Sequence, residues 1–205
     1  MVAQPTETLE EQSLPEEDAL RADLYGFLAT LLAAPPAPAV LARCAALSGD
    51  ETAIGQGFAE LARRAAAATP ESVAGEYTRL FIGVSRGELL PYGSFYLTGF
   101  LNEKPLAHLR EDMARLGIAR SADVCEPEDH IATLCEMMAG LIRGQFAAPP
   151  GLATQAAFFT RHIARWAEHF FADLEGAKAA QFYAPVGAIG RAFIAIETES
   201  FRMDS

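Results

Sequence analysis

Basic residues are scarce in this chain of 205 residues: 16 Lys and Arg stand against 27 Asp and Glu, for a net charge of −11. That balance argues against non-specific nucleic-acid binding, which needs basic surface to displace counterions from phosphate. It suits a basic partner. Cysteine is equally sparse. Cys44, Cys125 and Cys135 leave an odd one out and form no CxxC pair, which points to a reducing compartment. The spacing Cys125-x4-His130-x4-Cys135 matches no zinc pattern, so neither a disulfide nor a structural metal is expected. Long apolar runs are missing too, and no stretch of about 18 residues could span a bilayer. Met1 to Glu17 has neither a basic start nor an apolar segment, so it does not read as a signal peptide. Arg63-Arg64 lies mid-helix and cannot serve as an export signal. Neither a nucleophile motif of the G-x-S-x-G type nor a phosphate loop of the Walker type is expected, and Gly83-x3-Gly87 is too sparse to cradle a phosphate.

Alternation of strand period is also absent, and helical periodicity takes its place. An acidic, flexible tail is expected over residues 1–17, with Pro15 opening the first helix, and one all-α domain over 18–205. Leu20, Leu24, Phe27, Leu28, Leu31 and Leu32 share one helical face, which Pro35-Pro36 closes. Val40 to Leu47 and Ile54 to Ala65 give two more helices. Thr69-Pro70 reads as an N-cap and first-turn proline of a helix reaching Phe81 and stopped by Gly83. The glycine-punctuated stretch 83–94 is long enough to be a placed, functional loop. Residues 95–100 fit a short helix or an extended segment equally. Leu106 to Leu116, closed by Gly117, is a clear helix. Ala156, Phe159, Ile163, Trp166 and Phe170 predict one long helix. Phe182 to Ile196 predict the last, with Pro185 as a kink or restart.

The chain is organised around Cys125-Glu126-Pro127-Glu128-Asp129-His130 and the apolar helix that follows. Pro127 suits a first helical turn, which would place Glu128 and Asp129 where the helix dipole favours carboxylates. Ile131, Leu134, Met138, Leu141 and Ile142 mark the buried face. The imidazole and carboxylates at its mouth read either as a capped helix start or as a polar grip at the edge of a groove. Cys135 reads as a small core residue. His162 and His169 stand at the polar boundary of a helix, and His108 on a solvated face. Among the aromatics of 77–96, Tyr92 between Pro91 and Gly93 is the one placed at a surface.

Three stretches in this order resemble the TorD/DmsD-type chaperones of redox-enzyme maturation. Glu76-Tyr77-Thr78-Arg79-Leu80-Phe81-Ile82-Gly83 is similar to that family's aromatic-x-x-Leu-Phe-x-Gly element. Pro91-Tyr92-Gly93-Ser94-Phe95-Tyr96 is similar to its proline-aromatic-x-Ser element, with Tyr92 where some relatives carry tryptophan. Glu126-Pro127-Glu128-Asp129-His130 matches its Glu-Pro-x-Asp-His signature. Downstream, Phe158, His162, Trp166, Phe170 and Phe182-Tyr183 resemble its C-terminal helices.

The resemblance implies an all-helical cytoplasmic chaperone without enzyme activity. Its client would be the apo-form of a molybdopterin-dependent oxidoreductase, whose twin-arginine leader it holds until the cofactor is inserted. No resident cofactor is implied; transient contact with the molybdopterin cofactor or a guanine nucleotide stays open, as does a monomer against a domain-swapped dimer. In this reading Leu80, Phe81, Pro91, Tyr92 and Ser94 receive the apolar part of the leader. Glu126, Glu128 and Asp129, positioned with His130, receive its arginines through charge-assisted hydrogen bonds. Protonation of His130 near its ordinary pKa of about 6.5 should then weaken binding. Two other classes remain open. One is a helical adaptor or regulator that does not favour arginine-rich leaders. The other is a helical enzyme using Asp129–His130, which would need a third catalytic group; none is recognised in a motif.

Overall fold

A computed structural model describes residues 14–84, 86–120, 126–146 and 151–203. Helices account for the architecture, as the periodicity predicts. Among the described residues the only strand-like feature is one isolated antiparallel bridge, Tyr92 to His130. No helix among them is long and apolar enough to cross a membrane.

Helix α1 (Glu16–Ala33) begins with Glu16, Glu17 and Asp18, where the partial positive charge of the helix start favours carboxylates. It lays Tyr25, Leu28, Leu31 and Leu32 on α7 (Ile131–Ile142). All of α7 is buried except Thr133 and Glu136, and a helix apolar on nearly every side belongs at the centre of the fold. Helices α2 (Pro38–Ala45) and α3 (Ala53–Ala67) pack as a pair, and α3 leans on the long α10 (Tyr183–Met203). Gly57 permits that approach: a Cβ there would lie 2.6 Å from Cγ1 of Ile189. Arg21 and Glu197 bind α1 to α10 through a buried two-pronged ion pair, with N–O distances of 2.7 and 2.9 Å. The Tyr25 hydroxyl donates to the same carboxylate.

Thr69 caps α4 (Pro70–Tyr77) through a reciprocal capping box with Ser72. Of residues 95–100, which fitted two conformations in sequence, 95–98 belong to the short helix α5 (Gly93–Thr98). Helix α6 (Lys104–Leu116) ends on Gly117 at φ +70°. Pro185 sits in the first turn of α10, where its missing N–H costs nothing.

Two expectations are corrected here. The single helix foreseen through Ala156–Phe170 is two, α8 (Leu152–His162) and α9 (Ala167–Gly176). The Trp166 indole N–H takes the carbonyl of His162 at 2.7 Å, and Trp166 itself leaves the helical region at φ −148°. The central helix starts at Ile131 rather than at Pro127. The N-terminal tail before Leu14, Cys125 with most of the connector before the signature, and 147–150 of the elbow lie outside the described residues.

Candidate functional site

The site grows from a widened turn. After Tyr77 the helix opens into a π-turn, Thr78–Ile82, ending at Gly83 with φ +64°. A side chain at Gly83 would run into the carbonyl of Arg86, 2.0 Å from a Cβ. Such insertions occur often at functional sites. The loop then folds back: Glu88 N–H donates to the Arg79 carbonyl and Leu89 N–H to that of Leu80. The Glu88 carboxylate accepts from the backbone N–H of Lys178 and Ala179, at 2.7 and 3.0 Å, so the loop is a placed one. Beneath it, the buried Glu76 carboxylate accepts the N–H groups of Gln181, Phe182 and Tyr183. One side chain thereby satisfies the unpaired donors at the start of α10.

Pro91 to Ser94 and Glu126 to Ile131, the two signature stretches, meet side by side at the antiparallel bridge between Tyr92 and His130. Gly93 N–H donates to the Asp129 carbonyl and Ile131 N–H to that of Pro91, both at 2.9 Å. The Tyr92 and His130 rings meet edge to face at 5.1 Å. Gly93 is pressed against the indole of Trp166; a Cβ would sit 3.1 Å from its nitrogen.

Each predicted residue can now be placed. Asp129 is buried; its Oδ2 accepts the Ser94 N–H at 2.6 Å and so caps α5. His130 is the N-cap of α7, its Nδ1 accepting the Ala132 N–H at 3.1 Å. Burial holds this imidazole neutral, its pKa pushed down to about 4 against the opposing pull of Glu126 and Asp129. The expected protonation near 6.5 is therefore corrected downward. Glu128 is buried too. Desolvation works against its charge, but Arg110, at 2.8 Å, and Arg120 hold it below the usual carboxylate range. It is already neutralised and does not offer a free acceptor. Leu80 and Ser94 are fully buried and Pro91 is buried, so they shape the site from behind. Phe81 and Tyr92 are half-buried, and Ile82 and Val84 are exposed beside them. Glu126 is the exposed carboxylate of the signature, accepting the Tyr92 hydroxyl.

Glu128 and Asp129 thus do not lie in the first turn of α7 as the sequence suggested. The segment before Ile131 is needed for pairing with Pro91–Gly93, and His130 takes the capping role. Asp129→Asn is expected to cost about 1–2 kcal/mol of stability, because the charge-assisted cap of α5 is lost. Thermal unfolding checks this; an unchanged melt would show that the cap carries little.

Two cavities flank the signature and share no lining residue. One, about 230 Å³, lies between α5, α6 and α8, with Asp129 in its wall and Lys104, Arg161 and Arg165 around it. The other, about 290 Å³, is lined by Glu126, Glu128 and Glu136, by Arg120, which pairs with Glu128, and by the apolar Met113, Ile118, Met137 and Phe146, so acidic groups outnumber basic ones. Burial raises the Glu136 carboxyl above its ordinary pKa.

For catalysis the arrangement offers little. The Nδ1 of His130 is occupied by backbone, and Asp129 bonds Ser94 rather than the imidazole. The expectation that no G-x-S-x-G nucleophile motif occurs is corrected: Gly83-Val84-Ser85-Arg86-Gly87 spells it. A hydrolase nucleophile on that pattern sits between a strand and a helix; here a π-turn precedes the segment, and Ser85 lies outside the described residues. Among the described residues no three His, Cys, Asp or Glu are grouped to hold a metal. Cys44 and Cys135 are buried free thiols, both with burial pushing their pKa up. Cys125 lies outside the described residues. Sequence reasoning did not find Glu76, Glu88, Arg110 or Glu136. Only burial and long-range pairing reveal them, although Glu76 opens one of the recognised stretches.

A family model described as the nitrate reductase delta subunit matches residues 48–172, more than half of the chain. A protein named Chaperone protein TorD from Vibrio atlanticus (strain LGP32) is 28% identical over 132 residues, 60% of this chain and 61% of that protein. One of the same name from Ferrimonas balearica is 26% identical over 210 residues, covering 92% and 94%. The chain thus spans about three fifths of the length of the Vibrio relative and nearly all of the Ferrimonas one. A crystal structure of a redox enzyme maturation protein from Archaeoglobus fulgidus superposes with a TM-score of 0.57. At 23% identity, over 92% of this chain and 99% of that one, it establishes the shared fold.

Proposed function

The chain belongs to the nitrate reductase delta subunit family, that of the TorD-type redox-enzyme maturation chaperones, and on that premise we propose that it binds the twin-arginine leader of a molybdopterin-dependent oxidoreductase in the cytoplasm. It would hold the apo-enzyme until the cofactor is in place. The observation that carries this reading is the junction of two surfaces at Tyr92. On one side Phe81, Ile82, Val84 and Tyr92 offer apolar area, which suits the hydrophobic stretch of a leader. On the other, Glu126 borders the acidic cavity with Glu136 and the methionines Met113 and Met137. Methionine adapts to varied apolar partners, and carboxylates give arginine its strongest hydrogen bonds. The buried members of the signature, Leu80, Ser94, Glu128, Asp129 and His130, hold this junction in shape. The net charge of −11 would speed the encounter with a basic peptide.

The two surfaces can be tested separately. The double variant Glu126→Gln/Glu136→Gln is expected to weaken a peptide bearing an Arg-Arg pair and an apolar stretch by about tenfold, two charge contacts at roughly 0.7 kcal/mol each. It should also flatten the dependence of affinity on salt, because exposed charges are screened. Ile82→Ala/Tyr92→Ala should weaken binding with the salt slope unchanged. Equal loss and equal slopes in both variants would place the peptide elsewhere.

A further inference from the structure

Every buried polar side chain is a claim on a partner, and two among the described residues are left wanting. Asp129 is 3% exposed and Ser94 is 0% exposed. Yet Asp129 Oδ1 and Ser94 Oγ have no hydrogen-bond partner, and they are the only such buried side-chain atoms among the described residues. The other buried carboxylates are answered: Glu76 by three N–H groups, Glu197 by Arg21 and Tyr25, Glu128 by Arg110, and Asp112 by Arg161 and His162. An unanswered buried acceptor is costly.

Asp129 lies in the wall of the cavity between α5, α6 and α8. The surroundings of that cavity carry the opposite charge. Lys104 and Arg165 line it, are exposed, and have no acidic partner among the described residues; Arg161 beside them is already paired with Asp112. A basic peptide would be repelled at this entrance, so the cavity does not suit the leader's arginines. It suits a molecule of both signs. At about 230 Å³ it falls below the range of about 300–1,000 Å³ typical of drug-sized ligands.

We propose that this cavity binds a small zwitterionic acid, its cationic N–H group on Asp129 and its acid group at Lys104 and Arg165. A cation inside would give Asp129 Oδ1 a charge-assisted bond and neutralise its carboxylate. The acid group would meet two cations that nothing else in the described protein engages. The site is separate from the leader-binding surface and does not depend on that reading.

The probe is 4-guanidinobutyrate, titrated calorimetrically into the intact protein. Agmatine keeps the guanidinium and replaces the acid with a second cation; butyrate keeps the acid alone. Saturable binding of 4-guanidinobutyrate, at least tenfold tighter than either control, is expected. The exposed-residue variant Lys104→Ala/Arg165→Ala should lose about tenfold in affinity with an unchanged melt, which separates the acid-binding half from folding. No saturable binding, equal binding of agmatine, or indifference to the Lys104/Arg165 variant would each overturn the assignment.

Discussion

Replacing Glu76 by alanine is expected to remove about 3–5 kcal/mol of stability, the cost of stripping a buried charged acceptor from groups that have no other. Its two oxygens hold the N–H groups of Gln181, Phe182 and Tyr183 at 2.8, 3.1 and 2.8 Å. Those donors open α10, a helix of 21 residues that packs on both α3 and α9. Alanine leaves all three donors buried or half-buried without an acceptor. Glutamine retains one acceptor oxygen and should cost about 1–3 kcal/mol. Denaturant unfolding of the two variants checks both values. A loss below about 1 kcal/mol for Glu76→Ala would mean that water replaces the carboxylate, and that α10 does not depend on it.

The second large effect is on the acid side of neutrality. His130 and His162 are both buried and both have pKa values pushed down to about 4. Burial is the main cause in each case, reinforced for His162 by Arg161, His108 and Arg115. Each imidazole is neutral in the fold: His130 accepts the Ala132 N–H, and His162 lies 2.7 Å from Asp112. The unfolded chain takes up protons below about pH 6.5, whereas the folded one does so only near 4. Their contribution to stability is therefore complete above pH 6.5 and is lost as pH falls toward 4. The loss amounts to about 3.5 kcal/mol at most for each histidine at about 1.4 kcal/mol per pH unit. His130→Asn retains a capping oxygen but cannot titrate. Its stability should fall less steeply between pH 6.5 and 4 than that of the wild type. Parallel pH profiles would show that His130 takes up its proton as readily in the fold as in the unfolded chain. By the same token, peptide affinity should show no step near pH 6.5 that depends on His130.

Much of this was readable in advance, for definite reasons. Helices such as α1 and α6 carry apolar residues at helical spacing and end on proline or glycine, so both type and boundary are local properties. The break between α8 and α9 was hidden because the apolar spacing from Ala156 to Phe170 runs straight across it. What breaks the helix is a side-chain hydrogen bond from Trp166 to the His162 carbonyl. The start of α7 was misplaced for a related reason. Pro-Glu-Asp is a good first turn in isolation, but here the pairing of Gly93 and Ile131 with the facing chain outweighs it. The two stretches that the resemblance named do meet in space. Their roles were not legible. Burial, which no spacing reports, turns Glu128, Asp129 and His130 inward and leaves Glu126 facing out. Glu136 escaped notice because it stands on the single helix whose every other feature speaks of the core.

The most direct test of leader binding at the Tyr92–Glu126 junction is hydrogen–deuterium exchange with and without a peptide bearing the Arg-Arg pair and an apolar stretch. Slower exchange is expected in the segments 78–92, 113–120 and 126–137, which surround the apolar and acidic surfaces. A contradictory result would be protection confined to the wide groove of about 610 Å³ between α3, α9 and α10, around Gly57, Glu168, Ala188 and Ile196, with the signature segments exchanging as in the free protein.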